Sequence, residues 1–325
     1  MGLGMTNRLK AEVWPEIPFD AWQETCAALH LWCQIVGKYR LKHSYWVNHS
    51  WHATLYVTSR GLTTGPIPDP QVPVTVSFDF CDSLLLVEAS GGQIAHFRLE
   101  SMSVAEFRSR FDTAVRDVGG NCDIHFRPNE LPDPIPFHQD NAQRPYDGDA
   151  VQRFHKALLR VHDVFSRFRT GFHGKVSPAH LFWGSFDFAV TRFSGRAAPV
   201  HPGGIPFLPD AVTREAYSHE VSSAGFWPGN GFGEAAFYSY AYPVPKGMSE
   251  YPILPKAAAW NDSLGEFLLP NTAVRSADNP AETLLSFLQS TYQAAAKTAA
   301  WDSYALERPL GECGRPSEDK QVRGA

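Results

Sequence analysis

Between residues 52 and 99 the chain offers four short runs rich in β-branched and aromatic residues, with only turns between them: 52–59, 74–81, 84–89 and 93–99. Parallel neighbours need a crossover of a dozen or more residues, usually a helix. Runs separated by turns alone pair as antiparallel hairpins instead. Gly91-Gly92 is where one of these reverses, since both glycines can take φ > 0. The second half repeats the arrangement, with runs at 180–193, 214–224, 235–242 and 265–269. A doubly wound parallel sheet is therefore disfavoured, and the chain reads as α+β with mainly antiparallel sheet.

About four main helices complete the pattern. In the first, 20–38, Asp20 is placed to cap and Trp22, Cys26, Leu29, Cys33 and Val36 form an apolar face. The second opens on the capping box of Ser103 and Glu106 and stops at Gly119-Gly120. The third, 149–169, carries Val151, Phe154, Leu158, Val161, Phe165 and Phe168 at spacings of three and four. The fourth begins at Asn279-Pro280 and runs to about 300. Both halves thus read helix, four strands, helix, and Ser-Phe-Asp-Phe occurs at 77–80 and again at 185–188. The expected organisation is an irregular leader (1–18), an α+β half (19–127), a Pro-rich connector (128–146), a second α+β half (147–301) and a disordered tail (302–325). The halves can be separate domains or one repeat-built unit.

Composition limits the partners. Hydrophobic residues at 43% against 19% charged support a large core and exclude global disorder. A net charge of −5 lacks the basic footprint of a nucleic-acid binder. Arg108, Arg110 and Arg116 are interleaved with Glu106, Asp112 and Asp117, which reads as a solvated face. No run approaches the roughly 20 apolar residues of a membrane span, and no signal peptide opens the chain. Gly2 and Thr6 match the loose myristoylation pattern, which is read as accidental. Five cysteines without a CxxC pair argue against a disulfide framework or a Cys-based zinc site, so a reducing, cytoplasmic setting is expected.

Four segments, WHATLYVTSRGLTT (51–64), HLFWGSFDFAVTRFSGR (180–196), YSHEVSSAGFWPGN (217–230) and FYSYAYPVP (237–245), together resemble a bacterial family of about this length, a domain of unknown function. The resemblance covers about residues 10–300 and implies a bacterial protein and one family-wide unit. It brings no activity, ligand or catalytic residue.

No phosphate-binding loop, dinucleotide fingerprint, HExxH or GxSxG is present, so no cofactor is expected. The chemistry-bearing candidates cluster at His180, Asp187, His219 and Glu220. Alternation puts Trp183, Ser185, Asp187 and Thr191 on one strand face and Phe182, Phe186, Phe188 and Val190 on the other. A carboxylate in so apolar a strand needs a partner or a solvated cavity. One reading is an acid–base pair or two metal ligands, with His219 or Glu220 but not both reaching Asp187. The other is a structural ion pair with Arg192 or Arg196, or a hydrogen bond to backbone or serine. His49-x-x-His52 has metal-compatible spacing but reads as an ordinary exposed loop pair, and His155 and His162 read as facing solvent or flanking their helix stripe, so no metal is expected. Three loops, 199–209, 225–233 and 243–255, are rich in Gly, Pro and apolar residues with few charges. With Trp183, Arg192, Trp227, Tyr238 and Tyr240 they can wall a small-molecule pocket in the second half, for binding or for metal-independent catalysis. Alternatively they form a homodimer or partner surface, or a strap over their own core.

Overall fold

The computed structural model describes residues 14–205, 208–229 and 233–315. Its helices are α1 (Phe19–His43), α2 (Val104–Asp117), α3 (Gly148–Thr170), α4 (Asp210–Ala216), α5 (Asn271–Arg275), α6 (Pro280–Thr298) and α7 (Ser303–Leu306). One antiparallel sheet contains β1 (Tyr56–Val57), β2 (Gly61–Ile67), β3 (Val74–Asp79), β4 (Leu84–Ala89) and β5 (Ile94–Arg98), in that order. The second contains β6 (His180–Phe182), β7 (Asp187–Ala197), β8 (His219–Trp227), β9 (Ala236–Tyr242), β10 (Ala259–Asn261) and β11 (Glu266–Pro270). Its order is β10-β11-β9-β8-β7-β6, again antiparallel throughout. The expected α+β class with antiparallel sheets is what the chain forms. The two sheets meet where Leu55 and Leu181 exchange backbone hydrogen bonds of 2.9 and 2.8 Å, and one buried apolar cluster draws on both halves.

α1 sits at the centre. Its expected apolar face is there, but the polar side is buried as well: His30, Gln34 and Lys38 are all enclosed. His30, Gln34 and Lys38 are four apart, hence one above the other on a helix. His30 Nε2 donates to the Gly184 carbonyl at 2.8 Å. Gln34 accepts from the backbone N–H of Asn129 at 2.7 Å and donates to its carbonyl at 2.9 Å. The Lys38 ammonium donates to Asn129 Oδ1. This polar stripe fixes the Pro-rich connector and the 183–186 turn against the helix.

Several elements differ from expectation. Asp20 lies in the first turn of α1 and makes no cap hydrogen bond; Pro18 is the cap residue. At α2, Ser103 accepts from Glu106 N, but the Glu106 carboxylate pairs with Arg110 at 2.6 Å. The run 52–59 contributes only two residues of strand, while β2, which the turn-rich Arg60-Gly61 concealed, carries the pairing to β3. The run 180–193 is a hairpin, with Phe182 opposite Asp187 and Phe186 at φ 57°. Residues 214–224 divide into the end of α4 and the start of β8. The chain past Trp301 packs onto α3 through Arg308 Nε to Thr170 O (2.6 Å) and Gly311 N to Thr170 Oγ1 (2.8 Å). Residues 316–325 and the Gly2/Thr6 pattern lie outside the described residues. The arginines of α2 pair with Glu100, Glu106 and Asp112, as a solvated face does.

Candidate functional site

A cavity of about 530 Å³ opens between β7–β9 of the second sheet, the connector, the turn after α1, and α4 with its preceding strap. Alternation along β7 supplies one wall, because Asp187, Ala189, Thr191 and Phe193 all face it. The neighbouring strands continue that wall laterally: Thr191, Ser223 and Tyr240 are register partners, as are Ala189, Gly225 and Tyr238. Trp183 and Trp227 add aromatic surface, with Trp227 and Tyr238 centroids 4.3 Å apart. Ile205 and Leu208 of the 199–209 strap and Val212 of α4 close the far side.

Three glycines make the arrangement sterically possible. A Cβ on Gly225 would lie 2.3 Å from the Tyr238 ring and hydroxyl, so only glycine lets that ring cross the sheet toward Asp187. At Gly37 it would lie 2.2 Å from Trp183, and at Gly184 it would lie 1.9 Å from a Glu130 oxygen. The Trp183 indole N–H then donates to Ala53 O at 2.6 Å, which holds the ring.

Asp187 is 5% exposed and accepts from the hydroxyls of Ser185 and Tyr238. Burial raises its carboxyl above the usual range, and the two hydrogen bonds oppose that rise. Two further carboxyls share the cavity. Glu130, on the connector at φ 56°, is pushed to about 7 by burial and by the charge of Asp187, against the pull of Lys38. Glu266, at the start of β11, also reaches about 7, through burial and Asp187. Lys38 is lowered to about 8 by burial and sits 5.4 Å over the Trp183 ring. Neutral glutamic acids near pH 7 can give or take a proton at physiological pH. At the other end, His49 donates from Nδ1 to Ala216 O at 3.0 Å, which leaves Nε2 as an acceptor without a partner among the described residues. Burial lowers its pKa and favours the neutral ring.

Of the residues expected at the site, Asp187, Trp183, Trp227, Tyr238 and Tyr240 line this one cavity. Four expected partners do not. His180 is fully buried among Trp51, Tyr56 and Phe182, with both ring nitrogens unpaired among the described residues and its pKa lowered to about 3 by burial. His219 pairs with Ala197 at the far end of β8 and is exposed. Glu220 binds Arg196 at 2.6 Å and borders a separate cavity of about 200 Å³. Arg192 has the opposite parity to Asp187. It is clamped between Phe168, Phe172 and Tyr292 and donates to Phe168 O, so neither Arg192 nor Arg196 is the partner of Asp187. His49 and His52 are buried rather than exposed, and among the described residues no three His, Cys, Asp or Glu side chains stand together as a metal-binding group. Tyr251 and Ile253 of the 243–255 loop pack on the core instead.

Glu130, Glu266, Lys38 and Tyr217 carry no expectation from the sequence, and His49, expected as half of an ordinary loop pair, lines the cavity instead. Glu266 carried the same signal that marked Asp187, an acid within an apolar strand. Glu130 carried none, since its place depends on the connector binding α1.

No curated protein and no solved structure matches the chain. The model of DUF5996, a family of unknown function, matches residues 14–308, and the chain belongs to that family.

Proposed function

We propose that this protein binds a small molecule in the cavity beneath Trp183, Trp227, Tyr238 and Tyr240, and that Asp187, Glu130 and Glu266 carry its chemistry. The observation behind this is the convergence of three carboxyls on one aromatic-walled cavity, two of them held near pH 7. A buried carboxyl costs stability unless something is gained. Strongly perturbed acids in a cleft are the usual mark of a functional site. If a reaction occurs, the arrangement suits metal-independent proton transfer, with one glutamic acid as donor and a neighbouring carboxylate as acceptor. Five unpaired cysteines support a reducing, cytoplasmic setting. A ligand-observed NMR screen tests the reading. Fragments should bind wild type and lose binding in Ala216→Trp, which fills the cavity from the partly exposed end of α4. An absence of hits, or hits indifferent to that substitution, would contradict it.

A second reading has its own observation. Tyr45, Trp46 and Val47 are 86%, 57% and 43% exposed, and Val200, Val244 and Leu254 are exposed on the apolar loops. These suit a homodimer surface. Light scattering at micromolar concentration decides it: a dimer dispersed by Tyr45→Ser and Val200→Ser favours this reading, and a monomer opposes it.

A further inference from the structure

We infer that the ligand of this cavity is an organic cation, a protonated or quaternary amine on an apolar or aromatic body, seated with its charge among Asp187, Glu130 and Glu266. The inference rests on the cavity being a ligand site and adds the class of ligand.

Three independent features point the same way. The first is charge. Among the described residues the lining contains three carboxyls and neither lysine nor arginine. Among the described residues the cation that bears on these acids is Lys38, which is committed to Asn129 and acts on Glu130, not on Glu266, while Lys175 lies at the other end, over Trp51 and Phe193. With all three carboxyls ionised the site is short of positive charge, and an anion is repelled.

The second is hydrogen bonding. Glu266 Oε2 and His49 Nε2 have no partner among the described residues, and both accept. Thr213 Oγ1, on a fully buried cavity-lining side chain, is also unpartnered. An ammonium has three donors and no acceptor, which matches a wall dominated by acceptors. A ligand that is itself acceptor-rich leaves Glu266 Oε2 and His49 Nε2 unpaired, whereas the Thr213 hydroxyl pairs with either kind of ligand.

The third is the aromatic surface. Trp183, Trp227, Tyr238 and Tyr240 present rings beside the acids, and the negative ring faces attract a cation that the carboxylates hold nearby. A volume of about 530 Å³ admits a molecule with a ring and a short amine arm.

Proton linkage gives a signature. In the empty site Glu130 and Glu266 hold protons up to about pH 7, through burial and the charge of Asp187. An entering cation favours their ionised forms and releases those protons, so its affinity rises between pH 6 and 8. The groups facing them are Lys38 from α1, His49 from the turn after it, Tyr217 after α4, and Tyr238 and Tyr240 from β9. His49 is lowered and the tyrosines are raised by burial, so these stay neutral in that window, while Lys38, lowered to about 8, begins to lose its charge at the top of it and adds to the same rise.

The test uses the full chain and matched trios of fragments, each an ammonium, an alcohol and a carboxylate on one frame; tryptamine, tryptophol and indole-3-propionate are one such trio. Calorimetry and ligand-observed NMR at pH 6 and 8, with Ala216→Trp and Glu266→Gln beside wild type, read the result. Hits concentrated on ammonium members, about tenfold tighter at pH 8 than at pH 6, and about tenfold weaker in Glu266→Gln, support the inference. Hits that favour alcohols or carboxylates, or that ignore charge, overturn the cation while leaving the cavity as a ligand site. No hits in any class, or hits that persist in Ala216→Trp, overturn both.

Discussion

Glu266→Gln isolates one buried acid. In the folded chain Glu266 has its pKa raised from 4.5 to about 7, through burial and the charge of Asp187. Between these two values the folded state therefore holds a proton that the unfolded state has released. Stability from this group is fullest near and below pH 4.5 and is lost as pH rises through 7. At roughly 1.4 kcal/mol per pH unit, the loss is at most about 3 kcal/mol. Partial exposure and relaxation reduce this, so about 1–3 kcal/mol is expected. Buried histidines such as His30, lowered to about 4, add an opposite slope below pH 6.5. Wild type and variant share that slope, so it cancels in their difference. Urea unfolding of both proteins from pH 4.5 to 8 is the assay. The glutamine variant should gain on wild type by that amount across the series, most steeply around pH 5–7. Parallel stability curves would refute the argument that Glu266 is held protonated.

Gly225→Ala should cost about 1–3 kcal/mol and displace Tyr238, because its Cβ would stand 2.3 Å from that ring; thermal melting and loss of ligand binding check this, and an unchanged melt with binding intact refutes it. Arg192→Ala empties the clamp of Phe168, Phe172 and Tyr292 and should cost about 3 kcal/mol, as large-to-small core changes do, while ligand affinity at a temperature where the variant is folded stays within about twofold. Thiol titration should find five thiols in denatured protein with or without reductant, and fast reaction of only Cys81 and Cys313 in the native protein.

The parts of the fold set by local periodicity were legible. The stripe from Val151 to Phe168 gives α3 its buried face, and turn-separated runs give antiparallel sheets. The aromatic wall was legible too, because alternation in β7 and β9 determines which side chains share a face. What stayed hidden depends on register and on long-range docking. The pairing of Ala197 with His219 puts that histidine at the end of β8 away from Asp187, and no local pattern encodes that register. His30, Gln34 and Lys38 look like the solvent side of α1 until the connector and the 183–186 turn cover them. Glu130 is placed by that same docking. Arg192 is a different case: it is one residue off the parity of Asp187, and alternation alone puts it on the opposite face.

In the proposed function Asp187 serves a ligand rather than bolting the sheet together. Asp187→Asn keeps an acceptor for the Tyr238 hydroxyl and removes a buried charge, so the lost charged hydrogen bond and the relieved desolvation largely offset each other. The direct measurement is the affinity of the tightest fragment for Asp187→Asn beside the thermal melt of the same protein. At least a tenfold loss of affinity, with a stability cost below about 1 kcal/mol, is the predicted result. Unchanged affinity in the folded variant, with a cost of about 3 kcal/mol or more, would contradict it and make Asp187 a structural carboxylate.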